Sequence, residues 1–166
     1  VLIVSNHPNG LADPVVIGIA LGRPVAFLAK STFFEIPVAR LAMDAFGAIP
    51  IYRAVDGAST KKNDETFAQC RALLGRKGWI AIFPEGTTHS EPSMKPFKTG
   101  AARIALSALA EAGPDLGLRV LPIGLLYEDK EIFRSRVAVS VGEPIDVAKH
   151  LEAYAREPRA VVDRLT

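Results

Sequence analysis

The chain has 166 residues, with 20 Lys+Arg against 18 Asp+Glu and a formal net charge of +2. That length suits one domain with a real core, and 49% hydrophobic with 23% charged residues excludes a largely disordered chain. The near-neutral balance argues against a nucleic-acid-binding protein, and a single cysteine, Cys70, excludes an intrachain disulfide framework and a multi-cysteine zinc site.

In chain order, strands alternate with helices. Val1–Val4 is an unbroken apolar run, the pattern of a strand buried on both faces. Asp13-Pro14 reads as a helix start, with Asp at the N-cap and Pro at the first helical position, and the helix runs from about Pro14 to Leu21 before Gly22. Val25–Leu28 is a second strand. A helix opening at Ser31 or Thr32 ends before Gly47, a C′ glycine, and Ile49–Arg53 is a strand. Asn63 to about Leu74 reads as an amphipathic helix, with Phe67, Cys70 and Leu74 on one face, which makes Cys70 a core thiol. Trp79–Phe83 is a buried strand, followed by a polar, Pro-containing loop over Pro84–Lys98. Thr99 caps a helix over Ala101–Ala112, closed by Gly113-Pro114. Arg119–Leu126 and Arg136–Val141 are strands, and Asp146 caps a last helix, Val147–Tyr154. This alternation implies one α/β domain with a largely parallel sheet flanked by helices. The apolar start at Val1 and the mid-helix character of Asp163–Thr166 suggest a domain cut short at its N-terminus and at its C-terminus. The most apolar stretch, Val15–Ala29, is broken by Arg23-Pro24 and is shorter than the roughly 20 residues of a spanning helix.

Ligands of open α/β sheets gather beyond the carboxyl ends of the strands. The first strand is followed by Ser5-Asn6-His7-Pro8-Asn9-Gly10-Leu11-Ala12-Asp13, the third by Arg53, the fourth by Pro84-Glu85-Gly86-Thr87-Thr88-His89-Ser90, and Arg119–Leu121 by Pro122-Ile123-Gly124. His7 and Asp13 allow two readings: a loop histidine beside a helix cap, or a general base with a carboxylate fixing its tautomer. Arg53 is either a solvated surface residue or a bidentate phosphate ligand. Glu85-Gly86-Thr87-Thr88 is either a strand-exit turn or an anion nest, in which Glu85 positions Arg53 or receives a substrate hydroxyl. Lys95 and Lys98 are either solvated or add charge to that nest. His89 and His150 carry a weaker signal, His150 as a surface residue. Phe33, Phe34 and Ile36 beside Lys30 form either core or an interfacial face. No zinc spacing, Walker loop, G-x-G-x-x-G or G-x-S-x-G occurs, which counts against metal, nucleotide and serine-hydrolase chemistry.

Taken together, these segments resemble the glycerolipid acyltransferases with the H-x4-D motif, over nearly the whole chain and in order. The first block is Asn6-His7-Pro8-Asn9-Gly10-Leu11-Ala12-Asp13-Pro14 and the second Gly47-Ala48-Ile49-Pro50-Ile51-Tyr52-Arg53. The third is Phe83-Pro84-Glu85-Gly86-Thr87 and the fourth Val120-Leu121-Pro122-Ile123-Gly124. Phe97–Ala102, Phe133–Val137 and Gly142-Glu143-Pro144 are also typical of that family. Two departures stand out. Five residues separate His7 from Asp13 rather than four, and the third block ends Thr87-Thr88 where the family usually has Arg.

The resemblance implies a glycerol-3-phosphate acyltransferase-like fold and acyl transfer to glycerol-3-phosphate or lysophosphatidate. It makes His7 the base and Asp13 its orienter. Arg53, Glu85, Gly86, Thr87, Thr88 and Lys98 become phosphate-binding residues, and Asn6 and Pro122 line the site. The acyl donor is acyl-CoA or acyl-carrier protein; no other cofactor, metal or nucleic acid is implied, and the cytosolic face of a membrane is the expected partner surface. The alternatives are a non-catalytic lipid-binding domain of the same fold, or an acyltransferase for dihydroxyacetone phosphate or another lysophospholipid.

Overall fold

The structure, a computed structural model, describes residues 1–10, 12–53, 62–89, 91, 93–132 and 134–166. Leu11, Ser90 and Phe133, named above, lie outside the described residues. Strands β1 (Leu2–Ser5), β2 (Ala26–Lys30), β3 (Ile49–Ile51), β4 (Ile80–Ile82), β5 (Arg119–Tyr127) and β6 (Val137–Val141) form one sheet in the order β3-β2-β4-β1-β5-β6. The first five are mutually parallel, and β6 and the two-residue β7 (Ile145–Asp146) pair antiparallel with β5. The sheet is therefore mixed but largely parallel.

Helix α1 (Ala12–Leu21) carries the chain from β1 over β4 to β2, and α2 (Pro37–Ala45) carries it from β2 to β3. Both move toward the β3 edge, so right-handed crossovers put them on one face. There Ile17 is buried with Ile3, Phe27, Phe83 and Leu121, and Met43 packs alongside. Helices α3 (Asn63–Gly75) and α4 (Gly100–Ala112) carry the chain the other way and cover the opposite face. Cys70 and Leu74 of α3 pack there with Leu2, Ile80 and Ile104 to Leu106. Helices α5 (Leu151–Arg156) and α6 (Pro158–Leu165) close that second core through Val161 and Val162. Because the chain leaves β1 in one direction and β4 in the other, the topological switch point lies between these two central neighbours.

Several local expectations are corrected. The single helix expected over residues 31–46 is a 3-10 turn, Ser31–Glu35, then α2. Pro37 bars the α conformation at its predecessor, and Ile36 is extended at φ −95°, ψ 116°. The helix expected over Val147–Tyr154 is a 3-10 turn, Val147–His150, then α5, and α6 restarts at Pro158 for the same reason. Asp146 does cap this segment, accepting the Ala148 N–H at 3.1 Å. Thr99 makes no side-chain cap hydrogen bond to α4 and is already in the helical region. Asp13 is no N-cap either; it lies inside the first turn of α1 with its carboxylate turned back toward the preceding loop. Gly47 terminates the turn after α2 at φ +64°, as a C′ glycine should.

Candidate active site

His7 leaves β1 at the switch point, and Phe83 leaves β4 beside it. Their rings stack at 3.9 Å between centroids, 15° from parallel. His7 Nδ1 lies 2.8 Å from Asp13 Oδ2. A carboxylate only accepts, so Nδ1 carries the proton and Nε2 is left as the basic nitrogen. Five intervening residues suffice for the return because the loop closes on itself. The Asn9 carbonyl accepts the Asp13 N–H at 3.0 Å, and the Asn9 N–H donates to Asp13 Oδ2 at 2.9 Å. Asp13 is fully buried, and its other oxygen, Oδ1, accepts the Tyr127 hydroxyl at 2.7 Å. Burial, together with the Asp13 hydrogen bond and charge, raises the Tyr127 pKa far above its ordinary value, so this phenol stays a donor.

His7 opens onto a cleft of about 710 Å³. Its lining combines apolar side chains, among them Phe27, Leu28, Phe33, Met43 and Phe67, with Arg53, Gly86, Thr87, Thr88 and Lys98. Asn63, in the first turn of α3, grips the end of β3 by accepting the Tyr52 N–H at 2.9 Å and donating to the Tyr52 carbonyl at 2.7 Å. That grip fixes the residue next to Arg53. The Arg53 guanidinium donates to the Gly86 carbonyl at 2.7 Å. Gly86 sits at φ +67°, and a side chain there would meet Lys98 Nζ at 2.5 Å, so only glycine lets Lys98 lie across the turn. The Lys98 N–H donates to the Pro84 carbonyl at 2.8 Å, closing the long loop at its base. Thr88 Oγ1 lies against Gly10, joining the first and third sequence blocks.

Four of the residues singled out from the sequence stand outside the cleft lining. Asp13 acts through His7, as just described. Glu85 is buried at 3% exposure and neither touches Arg53 nor faces the cleft. The left-handed turn sends its carboxylate inward, where Oε2 accepts the Lys95 N–H at 2.8 Å and a bond from His89 Nε2. Burial alone would raise the Glu85 pKa; the hydrogen bonds from the Lys95 backbone, the His89 side chain and the His7 backbone, with the electrostatic attraction of His89, outweigh it and hold the carboxyl below its ordinary value. Asn6 turns to β5, accepting the Leu125 N–H at 2.7 Å and donating to the Leu125 carbonyl at 2.8 Å. Pro122 lies within β5, and its ring carbons pack beneath Gly142. Sequence reasoning passed over Tyr127, Asn63 and the pairing of His89 with Glu85. Tyr127 approaches Asp13 across 114 residues, and only strand order brings them together.

The family model named Acyltransferase matches residues 1–126. The chain belongs to the acyltransferase family. Among curated acyltransferases it is 44% identical over 104 residues to glycerol-3-phosphate O-acyltransferase 2 of Saccharomyces cerevisiae, covering 62% of this chain and 14% of that protein. It is 30% identical over 127 residues to a chloroplastic 1-acyl-sn-glycerol-3-phosphate acyltransferase of Brassica napus, covering 76% of this chain and 33% of that protein. The chain thus spans a minor part of the length of these relatives. Among solved structures, the 1-acyl-sn-glycerophosphate (LPA) acyltransferase PlsC from Thermotoga maritima shares the fold at a TM-score of 0.59 and 19% identity. That match covers 99% of this chain and 65% of the PlsC chain. The acyltransferase family match and this likeness agree with the mixed α/β architecture described above.

Proposed function

We propose that the chain transfers a fatty acyl group from a thioester, acyl-CoA or acyl-carrier protein, to a hydroxyl of a phosphorylated glycerol acceptor, glycerol-3-phosphate or lysophosphatidate. The observation that carries this reading is the cleft whose lining brings together a carboxylate-oriented His7, a set of apolar side chains, and Arg53 and Lys98 at the Gly86 turn. Apolar side chains suit an acyl chain, and the two cations suit a phosphate. His7 Nε2 takes the acceptor's hydroxyl proton while that oxygen bonds to the thioester carbonyl carbon. The tetrahedral intermediate collapses, the C–S bond breaks, and the imidazolium returns the proton to the departing thiolate. Ester and free thiol result, with no acyl-enzyme, and the histidine ends as it began.

Arg53 and Lys98 hold the phosphate and so place the hydroxyl, with Thr87, Thr88 and the Gly86 turn lining the same end. Thr88 stands where the family usually has Arg, which leaves the phosphate end with one cation fewer. Acceptor choice is therefore tested by competition. Thiol release from palmitoyl-CoA is measured with glycerol-3-phosphate, lysophosphatidate and dihydroxyacetone phosphate, singly and mixed. Release that depends on glycerol-3-phosphate or lysophosphatidate supports the reading and names the step; release that depends on dihydroxyacetone phosphate alone, or on no acceptor when the assay is repeated with palmitoyl-acyl-carrier protein, contradicts it.

The membrane's cytosolic surface is the proposed working place. Support comes from α1, α2 and the turn before α2, which leave Ile19, Val38 and Leu41 about three-quarters exposed on the face that also contributes Phe33 and Met43 to the cleft. Among the described residues no helix is long and apolar enough to cross a membrane.

A further inference from the structure

Beyond His7, the side chain that bonds to the Asp13 carboxylate is Tyr127, whose hydroxyl donates to Oδ1, the oxygen that His7 does not use. Oδ2 is shared by the His7 ring and the Asn9 N–H, both from the loop that precedes α1. Both of those donors come from one loop, and the last torsion of an Asp side chain is soft and roughly two-fold, so the carboxylate follows that loop unless a second element holds it. The hydrogen bond on Oδ1 comes from such an element and adds a second anchor to the carboxylate plane. Tyr127 is the last residue of β5, and Asn6 clamps that strand two residues earlier through both backbone groups of Leu125. The phenol ring packs into the core on the α1 face. The donor is therefore rigid, while the loop it steadies carries the base.

We propose that Tyr127 is a positioning residue for acyl transfer: its hydroxyl sets the plane of the Asp13 carboxylate and, through it, the aim of His7 Nε2 into the cleft. This rests on the role proposed above for His7. Tyr127→Phe removes one oxygen and keeps the ring, so the core packing is retained. Misplacing a catalytic group by about an ångström can cost on the order of 100-fold, and losing one of three anchors on Asp13 should displace His7 by less. The expected result is a kcat lower by about tenfold with the acceptor KM within about twofold of wild type.

A second readout does not need turnover. In the chain labelled with 15N-histidine, the proton on His7 Nδ1, assigned by its disappearance in His7→Gln, is expected to exchange with water about tenfold faster in Tyr127→Phe, as weakened hydrogen-bond protection requires. A purely structural role would lower activity only in step with the folded fraction, measured by circular dichroism and urea unfolding, and would leave that proton's exchange unchanged; either finding overturns the proposal. If the wild type shows no acceptor-dependent release, the acyltransferase reading fails. The histidine exchange rate still decides whether Tyr127 governs His7.

Discussion

At the scale of single residues, two buried carboxylates do different work within one site. Asp13 faces His7 and is satisfied by three donors from the chain. Glu85 faces inward and holds the long loop through His89 and Lys95. Its pKa is lowered from an ordinary value of 4.5. A lowered folded pKa means that its stabilisation is fully present above 4.5 and is lost as pH falls through the folded value. Glu85→Gln should therefore be less stable than wild type at neutral pH by about 1.5–3 kcal/mol, the range for a hydrogen bond to a charged group. Urea midpoints followed from about pH 7 to about pH 3 should show the two proteins converging only below pH 4.5. A constant gap across that range would mean that Glu85 is not held ionised by these partners.

At the scale of elements, the short apolar runs made the parallel strands legible, since a strand covered on both faces needs no alternation. The amphipathic spacing of α3 placed Cys70 in the core, and it is fully buried against Leu74 and the sheet. Burial pushes its thiol pKa up to about 12. An exposed-thiol reagent such as Ellman's should leave the native chain unmodified and react fully in urea, and rapid labelling of the native chain would contradict this packing. Pro37 was visible, yet its effect was missed because helical periodicity continues across it, and the last helix was expected to stop at Tyr154, short of Pro158 and of α6. The two-residue β7 carries too little pattern to be read and exists because β5 offers an edge. The pairing of Asp13 with His7 was legible from the motif, whereas the N-cap reading of Asp13 was not sound, since its position in the helix depends on how the loop closes. Tyr127 and Asn63 were not legible as parts of the site. Each acts through a contact with a residue of another element, and the local sequence of β5 or α3 explains both as ordinary members of those elements.

At the scale of the whole molecule, opposite crossovers from β1 and β4 open a crevice between neighbouring strands, and the catalytic candidates lie there because the topology has nowhere else to leave one. The two faces of the sheet are not alike. The α3 and α4 face is covered by α5 and α6, whereas the α1 and α2 face leaves Val15, Ile19, Ile36, Val38, Leu41 and Phe46 exposed. These side chains are the ones the proposed membrane contact would use. Val38→Asp with Leu41→Asp should leave the urea midpoint nearly unchanged, since both side chains are exposed, and should reduce co-sedimentation with vesicles containing phosphatidylglycerol by about tenfold or more. Equal co-sedimentation of variant and wild type would remove this face as the membrane contact.

The most direct test of the central claim is the single-turnover rate of ester formation from palmitoyl-CoA and the preferred acceptor, for wild type and His7→Ala. Loss of a general base predicts a fall of about 10²–10⁴-fold, with acceptor binding retained because Arg53 and Lys98 remain. A His7→Ala chain that forms ester at the wild-type rate would show that His7 is not the base, and that the cleft acts by another route.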